Sequence, residues 1–272
     1  MTGLAQPPLA EVAVIGGSGL YELISGGRSV DVSTPYGRPS EAITVGQVDG
    51  RRVAFLPRHG ADHRFPPHRI NYRANLWALR TLGVRQVLAP CAVGSLTPAL
   101  TPGTLVLPDQ LVDRTSGRAD SYFDDGAVHV SFADPYCPNG RSTVASAARA
   151  VGLDPVVGAT MVVVQGPRFS TRAESQWYAR QGWQLINMTG HPEAVLAREL
   201  ELCYTPIALV TDLDAGIDAA DAVSHTEVLR IFAANVELLR KVLHHAVPAM
   251  PDPVDCPCGR GHEGVPLPIT LP

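Results

Sequence analysis

The sequence predicts an α/β protein, a single domain with a central mixed β-sheet flanked by helices. Short apolar runs typical of buried strands alternate with longer runs of helical periodicity along most of the 272 residues. Residues 34–56 alternate apolar and polar positions around glycines, as hairpin strands do. Several strand-like runs end in turns that carry Gly, Ser, Thr, Arg or His. Because ligands of such sheets gather at the carboxyl ends of the strands, we expect a binding site there.

The composition is that of a globular protein with enough apolar residues for a large core, since 45% of the chain is hydrophobic. The formal net charge of −4 gives no basic surface for nucleic acid or an anionic membrane. No apolar run approaches the ~20 residues that span a bilayer. The first residues lack the basic start and apolar stretch of a secretion signal. We therefore expect a cytoplasmic protein that binds neither nucleic acid nor membrane.

The cysteine count gives little support for a disulfide framework or a metal site. Five cysteines are an odd number, and the chain shows no secretion signal. Cys256 and Cys258 form a C-x-C pair with His262 nearby, but zinc sites favour C-x₂-C spacing and no fourth ligand is evident. We assign no metal. We expect residues 1–248 to form the domain and residues 249–272 to form a Pro-, Gly- and Cys-containing tail that faces solvent.

The individual elements follow from apolar periodicity and turn residues. Strands are predicted, beyond the hairpin region, at 12–15, 53–56, 87–89, 104–107, 159–164, 185–188 and 207–211. Helices are predicted at 70–82, 141–151, 172–181, 194–202 and 226–244. Thr171 and Glu174 have the spacing of a capping box at the start of one helix. Residues 109–138 are predicted to be a long loop, which in a compact domain is usually functional or interfacial.

Two turns after predicted strands have the composition of anion sites. The sequence GGSG at 16–19 follows the first strand, and such a turn brings backbone N–H groups close to a ligand, although a simple tight turn fits equally. It matches neither a dinucleotide nor a P-loop motif. Arg58 and His59 follow another strand beside a glycine and offer donors to an anion; a surface turn is the alternative.

Two acids at the end of the 207–211 strand indicate a functional site. Asp212 and Asp214 are spaced i, i+2, so an extended backbone places both carboxylates on one face. Two carboxylates leaving a buried strand together are costly unless a site uses them.

Ten motifs in the chain, taken together, resemble those of a known family. They are IGGSGLYE, TPYGRPS, PRHG, NYRANLWAL, CAVGSL, QLVDRTSGR, DPYCP, QGPRFSTRAES, NMTGHPEAVLARE and TDLDAG. In this order they resemble the trimeric purine nucleoside phosphorylases, and most of all the 5′-methylthioadenosine phosphorylase branch. The resemblance covers about residues 12–247. It implies a nucleoside phosphorylase-like fold and phosphorolysis, in which a purine nucleoside and inorganic phosphate give the free base and a pentose 1-phosphate.

The resemblance also implies which residues bind each part of the substrates. The phosphate site would comprise Ser18, Arg58, His59, Cys91, Ala92 and Thr189. The family usually has Thr where this chain has Cys91, and a thiol is the weaker donor. Phosphate is a co-substrate, and no cofactor is implied.

The base and ribose positions follow in the same way. Asp212 would donate a proton to purine N7, and Asp214 would lie near the 6-substituent; burial and the like charge would raise the pKa of Asp212 for this role. Phe169 would stack on the base, Ser170 would reach its edge and Met188 would line the ribose. Taken alone, Phe169 and Met188 are better explained as ordinary apolar core residues.

Substrate identity depends on two departures within the family. The 6-oxopurine branch has Asn where this chain has Asp212, and a carboxylate favours a 6-amino purine. Methylthioadenosine phosphorylases have Val where this chain has His225, whereas enzymes for ordinary ribosides have His. His129 corresponds to a histidine that reaches the 5′ region from a neighbouring subunit, which implies a homotrimer.

Three functions therefore stay open. The first is an adenine-type phosphorylase that acts on S-methyl-5′-thioadenosine or another 5′-modified adenosine, and we prefer it. The second is a phosphorylase of inosine or guanosine. The third is a non-catalytic nucleoside-binding protein on the same scaffold, which the full set of anion-binding residues and both acids disfavour.

Overall fold

The computed structural model describes residues 8–17, 20, 23–24, 26–215, 225–253 and 256–272. Its strands are β1 (Val12–Gly16), β2 (Arg28–Val30), β3 (Ile43–Val48), β4 (Arg51–Pro57), β5 (Gln86–Ser95), β6 (Leu105–Leu107), β7 (Gln110–Arg114), β8 (Val156–Val157), β9 (Thr160–Val164), β10 (Leu185–Asn187) and β11 (Cys203–Leu213). Its α-helices are α1 (Tyr72–Thr81), α2 (Pro138–Ala150), α3 (Arg172–Arg180), α4 (Gly190–Glu199) and α5 (His225–Ala249). The predicted fold, a mixed sheet flanked by helices, is confirmed.

Strand β5 is the centre of the sheet because it pairs with three neighbours. Its first residues, 86–88, pair in parallel with β1, and its last two, 94–95, pair antiparallel with β10. Along its other edge it pairs in parallel with β11 over almost its whole length. From these neighbours the sheet continues through β4, β3 and β2 on one side and through β9 and β7 on the other.

Two apolar layers cover the sheet. On one face α1 packs against α4, and leucines and alanines of both helices join a core that includes Ile15, Leu56 and Val87. On the other face α2 packs against α5, and their apolar stripes enclose Leu88 and Phe232. The sheet is therefore buried on both faces, which explains why its central strands read as nearly continuous apolar runs.

The helix starts follow local chemistry. Asn71 caps α1 by accepting from the backbone N–H of Ala74. Thr171 and Glu174 form the predicted capping box at the start of α3, with both reciprocal hydrogen bonds present.

Several boundaries differ from the prediction. β11 has 11 residues instead of the predicted five. Its first residues are all buried, but Tyr204, Thr205 and Pro206 interrupt the apolar run by which a buried strand is recognised. The predicted 109–138 loop begins with strand β7, which pairs in parallel with β9. β7 is half-exposed at the sheet edge and polar, and therefore lacks the apolar signature of a strand.

The C-terminal tail faces solvent only in part: most of its described residues are exposed or half-buried, but its cysteines are not. Cys256 and Cys258 are both buried, at 2% and 1% exposure. The tail is held by hydrogen bonds from Gln86 Nε2 to the Pro251 carbonyl and between His262 Nε2 and the Glu199 carbonyl. Among the described residues, no helix has the length and apolar content needed to cross a membrane.

Candidate active site

A cavity of about 330 Å³ opens at the carboxyl end of the central strands. It lies where β1 and β10 part from β5: neither strand pairs with residues 89–93, so this stretch of β5 borders the open space. A gap between neighbouring strands of this kind is the usual ligand position in α/β sheets. The cavity lining includes ten of the predicted site residues, namely Arg58, His59, Cys91, Ala92, Phe169, Ser170, Met188, Thr189, Asp212 and Asp214.

The remaining three predicted residues are not placed in this cavity by the structure. Ser18 lies outside the described residues. His225 is the first residue of α5, and the cavity lining includes Val228 from the next turn of that helix. His129 is exposed and does not line the cavity of its own chain.

The turn after β1 approaches the cavity with its bare backbone. A Cβ at Gly17 would lie 2.8 Å from the Pro90 carbonyl oxygen and 3.2 Å from Arg58 Nη1. Only glycine fits this position without a shift of β5 or the guanidinium. The glycine-rich turn is therefore required by close packing against β5, in addition to any contact with a ligand.

Arg58 is buried and held in place by several acceptors. Its Nε and Nη2 donate to the two carboxylate oxygens of Glu193 at 2.7 and 2.8 Å, and Nη1 donates to the Pro90 carbonyl at 3.1 Å. Glu193 also accepts from the Tyr204 hydroxyl at 2.7 Å. Arginine and glutamate are each 1% exposed. The carboxylate keeps the pKa of Arg58 above its ordinary value despite burial, so this is a permanent ion pair.

His59 is a neutral imidazole in this site. Burial and, to a smaller extent, the neighbouring Arg58 cation lower its pKa to about 3. Its Nδ1 lies 2.9 Å from the Phe65 carbonyl, an acceptor only, so Nδ1 carries the proton. Nε2 is then an acceptor, whereas the sequence suggested a donor. A hydrogenphosphate ion carries an O–H that such a nitrogen can accept.

Neutral groups complete the floor of the cavity. Burial raises the pKa of Cys91 to about 11, so the thiol keeps its proton at neutral pH. Asn187 accepts from the backbone N–H groups of Thr189 and Gly190 through Oδ1. Its Nδ2 is buried beside the Cys91 thiol and has no nitrogen or oxygen partner among the described residues, and Asn187 lines the cavity. An unpaired buried donor in a cavity is a natural contact for an anionic or polar ligand.

The two acids enter the cavity at the end of β11. The pairing with β5 skips Thr211, so a β-bulge precedes Asp212 and turns the end of the strand. A Cβ at Gly94 would lie 2.9 Å from Asp212 Oδ1 and 3.4 Å from Asp214 Cβ. Both acids therefore pack over the same small residue of β5, as their i, i+2 spacing predicts.

Burial is the main cause of the altered acidity of both carboxyls. It raises the pKa of Asp212 to about 6, with a smaller contribution from the charge of Asp214. Burial also raises the pKa of Asp214. Thr211 Oγ1 lies 2.8 Å from Asp212 Oδ2 and 3.2 Å from the Val93 carbonyl. The Thr211 hydroxyl donates to Asp212 and thereby favours the carboxylate, but burial outweighs this bond and leaves the pKa of Asp212 raised.

The walls between the two ends are apolar. Phe169 and Met188 are half-buried and line the cavity, so the reading of both as ordinary core is wrong. The segment that carries Phe169 is fixed by Arg168, which donates to Glu174 at 2.7 and 2.8 Å. An aromatic face and a thioether opposite polar groups suit a flat heterocycle joined to a polar ring.

Comparisons with known proteins identify the family. A profile of the phosphorylase superfamily matches residues 11–248. The chain belongs to the phosphorylase superfamily. The protein is therefore an enzyme related to purine nucleoside and methylthioadenosine phosphorylases, as the motifs indicate.

Individual relatives cover nearly the whole chain. A Streptomyces coelicolor protein named purine nucleoside phosphorylase is 59% identical over 99% of this chain and 100% of its own length. The S-methyl-5′-thioadenosine phosphorylase of Mycobacterium tuberculosis is 59% identical over 96% of this chain and 97% of its own. A methylthioadenosine phosphorylase structure from an antarctic soil metagenomic library has a TM-score of 0.86 at 42% identity, covering 94% of this chain and 91% of its own.

Four residues of this phosphorylase site were not found by sequence reasoning. Glu193 has the appearance of an ordinary helix acid, and Asn187 and Thr211 that of ordinary strand residues. His63 also lines the cavity, and its ring stacks on that of His59 with centroids 4.3 Å apart. The one available signal for Glu193 is its place three residues after the NMTG segment, within a family-like motif.

We predict that Glu193→Gln destabilises the phosphorylase by about 3–5 kcal/mol, because it leaves Arg58 as an unpaired buried cation. Phosphate should restore part of the loss by pairing with that cation, so the phosphate-induced rise in Tm should exceed that of the wild type. Thermal unfolding with and without phosphate measures both effects.

Tyr204→Phe is the matched control for this prediction. It removes the hydroxyl donor of Glu193 but keeps the ion pair, so it should cost only about 1 kcal/mol and leave the phosphate response unchanged. An equal phosphate response in Glu193→Gln and the wild type would show that Glu193 does not position Arg58 for the anion.

Proposed function

We propose that this enzyme catalyses phosphorolysis of S-methyl-5′-thioadenosine, or of another 5′-modified adenosine, to adenine and 5-methylthioribose 1-phosphate. The observation that carries the proposal is the polarity of the cavity: Asp212, whose pKa is raised to about 6, lies at one end and Arg58 at the other. The relatives named methylthioadenosine phosphorylase, at up to 59% identity, support the same reaction.

At the anion end, inorganic phosphate is the co-substrate. Two N–H groups of Arg58 are not used by Glu193 or Pro90 and remain for the phosphate oxygens. Thr189 and the backbone at Cys91 and Ala92 add neutral donors, and His59 accepts the phosphate O–H. Because the charge of Arg58 is already paired, phosphate is oriented without being bound too tightly to attack C1′.

At the base end, the leaving purine gains negative charge as the glycosidic bond to C1′ breaks. Asp212 gives its proton to N7, which neutralises this charge as it develops. Asp214 accepts from the 6-amino group, Phe169 stacks on the ring and Ser170 contacts its edge. A carboxylate beside the 6-substituent repels a carbonyl oxygen, so adenine is favoured over hypoxanthine or guanine.

A phosphorylase of 6-oxopurine nucleosides is the second candidate function. It is favoured by the name of the Streptomyces coelicolor relative, purine nucleoside phosphorylase, and by His225 at the position of a 5′-hydroxyl ligand. Asp212 opposes it, because the 6-oxopurine branch has Asn there.

We propose that the active enzyme is a homotrimer in which His129 completes a neighbour's site. His129 is exposed on the chain segment between β7 and α2 and lies outside its own cavity lining. Sedimentation should give three chains per particle, and His129→Ala should raise KM for the nucleoside without changing that mass. A fully active monomer would contradict the proposal.

The function is tested by measuring phosphate-dependent base release from methylthioadenosine, adenosine and inosine with the wild type and Asp212→Asn. We expect the wild type to prefer the adenine nucleosides and the variant to lose roughly 10²-fold or more in turnover on them. Base release from inosine ahead of both adenine nucleosides would favour the second candidate, and release without phosphate would contradict phosphorolysis.

Stability provides the control for Asp212→Asn. A carboxyl whose folded pKa lies near 6 and whose ordinary value is 3.8 costs the folded state stability above pH 6, and this cost disappears below pH 3.8. This difference between the folded and the ordinary pKa corresponds to at most about 3 kcal/mol of unfolding free energy. The inactive variant should therefore be more stable than the wild type at pH 8. Lower stability there would mean that the activity was lost through misfolding.

The 5′ preference is tested with His225→Val. Position 225 precedes Val228 by one helical turn, and Val228 lines the cavity. Replacing an imidazole with an isopropyl group should shift the kcat/KM ratio towards methylthioadenosine over adenosine by about 1–2 kcal/mol. An unchanged ratio would mean that His225 does not contact the 5′ substituent.

A further inference from the structure

Four of the five cysteines form a buried cluster outside the active site. Cys137 caps the start of α2 and Cys203 begins β11, while Cys256 and Cys258 belong to a 3₁₀ turn of the C-terminal tail. All four are free thiols, and each is no more than 2% exposed. None lines the substrate cavity, and the proposed reaction uses none of them.

The sulfur atoms have the arrangement of a tetrahedral metal site. All four lie within 4.8 Å of one another, and Cys137 Sγ is 3.5 Å from Cys256 Sγ. A zinc ion with Zn–S bonds of about 2.3 Å separates its sulfur ligands by about 3.8 Å. The cluster therefore needs only small side-chain adjustments to place four sulfurs around one ion.

We propose that Cys137, Cys203, Cys256 and Cys258 together bind one structural zinc ion. Four sulfur ligands in a closed tetrahedral site are characteristic of zinc, and a buried set of four leaves no open position for catalysis. Among the described residues, His262 is not part of this group of ligand atoms, and its Nε2 bonds to the Glu199 carbonyl. The ion replaces the thiol protons, which leave to solvent as the four thiolates form.

The alternative use of these thiols is a pair of disulfides. Disulfides would join the sulfurs two by two, whereas here all four share one small volume. The backbone also supports a thiolate: the N–H of Gly140 donates to Cys137 Sγ at 3.4 Å, a contact typical of the outer shell of a metal site. We therefore favour the metal.

The ion would attach the C-terminal tail to the domain. Its ligands come from three segments that are distant in sequence, and the described part of the tail beyond α5 has only one 3₁₀ turn as regular structure. A short segment without its own apolar core is commonly held by a metal. Cys203 and Asp212 are nine residues apart on β11, about 30 Å along a strand. The site is thus structural and separate from the proposed reaction.

Elemental analysis of the full-length protein, purified under reducing conditions without chelator, tests the proposal. We expect about one zinc per chain. A protein reconstituted with Co²⁺ should show thiolate-to-cobalt charge-transfer absorption and the strong visible bands of a tetrahedral site. Removing the metal should lower Tm by about 5 °C or more while KM for the nucleoside stays unchanged.

Cys258→Ser should lose most of the zinc, whereas Cys91→Ser, which alters the cysteine outside the cluster, should retain it. If Cys258→Ser fails to fold, the metal content and the cobalt spectrum of the wild type still show whether the four cysteines bind a metal. The proposal is overturned by a metal-free wild type with five titratable thiols. Stoichiometric iron, or an intact mass that shows disulfides in the reduced preparation, would also overturn it.

Discussion

The buried Arg58–Glu193 ion pair is the constraint on which the active site depends. Removing two charges from water costs several kcal/mol per ion, so the pair is stable only if its hydrogen-bonding groups are satisfied. Here that condition fixes four elements: the end of β4 holds Arg58, α4 holds Glu193, β5 offers the Pro90 carbonyl, and β11 offers the Tyr204 hydroxyl. The floor of the cavity is rigid because these partners must all meet at one point.

The same pair determines how the site treats an anion. Arg58 shares its charge with Glu193, and burial keeps His59 neutral, so these residues add no net positive charge to the floor. Phosphate must be bound by individual donors directed at its oxygens. Such a site recognises the shape and hydrogen-bonding groups of an anion more than its charge. Weak charge pairing suits a nucleophile, because the anion must leave its protein contacts to form a new bond. At the opposite end burial has the reverse effect, since it favours the protonated form of Asp212.

The fold class follows from local sequence patterns, and ten of the residues that line the cavity follow from strand-end motifs or from the family resemblance. Polar residues that can bind a ligand follow the strand ends in short motifs. The i, i+2 spacing of Asp212 and Asp214 places both acids on one side of the strand. Features that depend on distant packing were missed. Glu193 has no local signal because its partner Arg58 lies 135 residues away. The buried position of the tail cysteines depends on Cys137 and Cys203, which no spacing rule connects to a C-x-C pair.

Strand β11 connects the cysteine cluster, the Arg58–Glu193 ion pair and the two acids, which no sequence pattern connects. Its first residue belongs to the cysteine cluster, its second donates to Glu193 beside the cavity floor, and its last residues form the bulge at Thr211 and carry Asp212. A buried strand paired on both edges cannot shift by one residue without reversing every side chain. The register of β11 against β5 therefore sets the distance between the anion end and the acid end. A nucleoside that spans both ends must match that fixed distance in length.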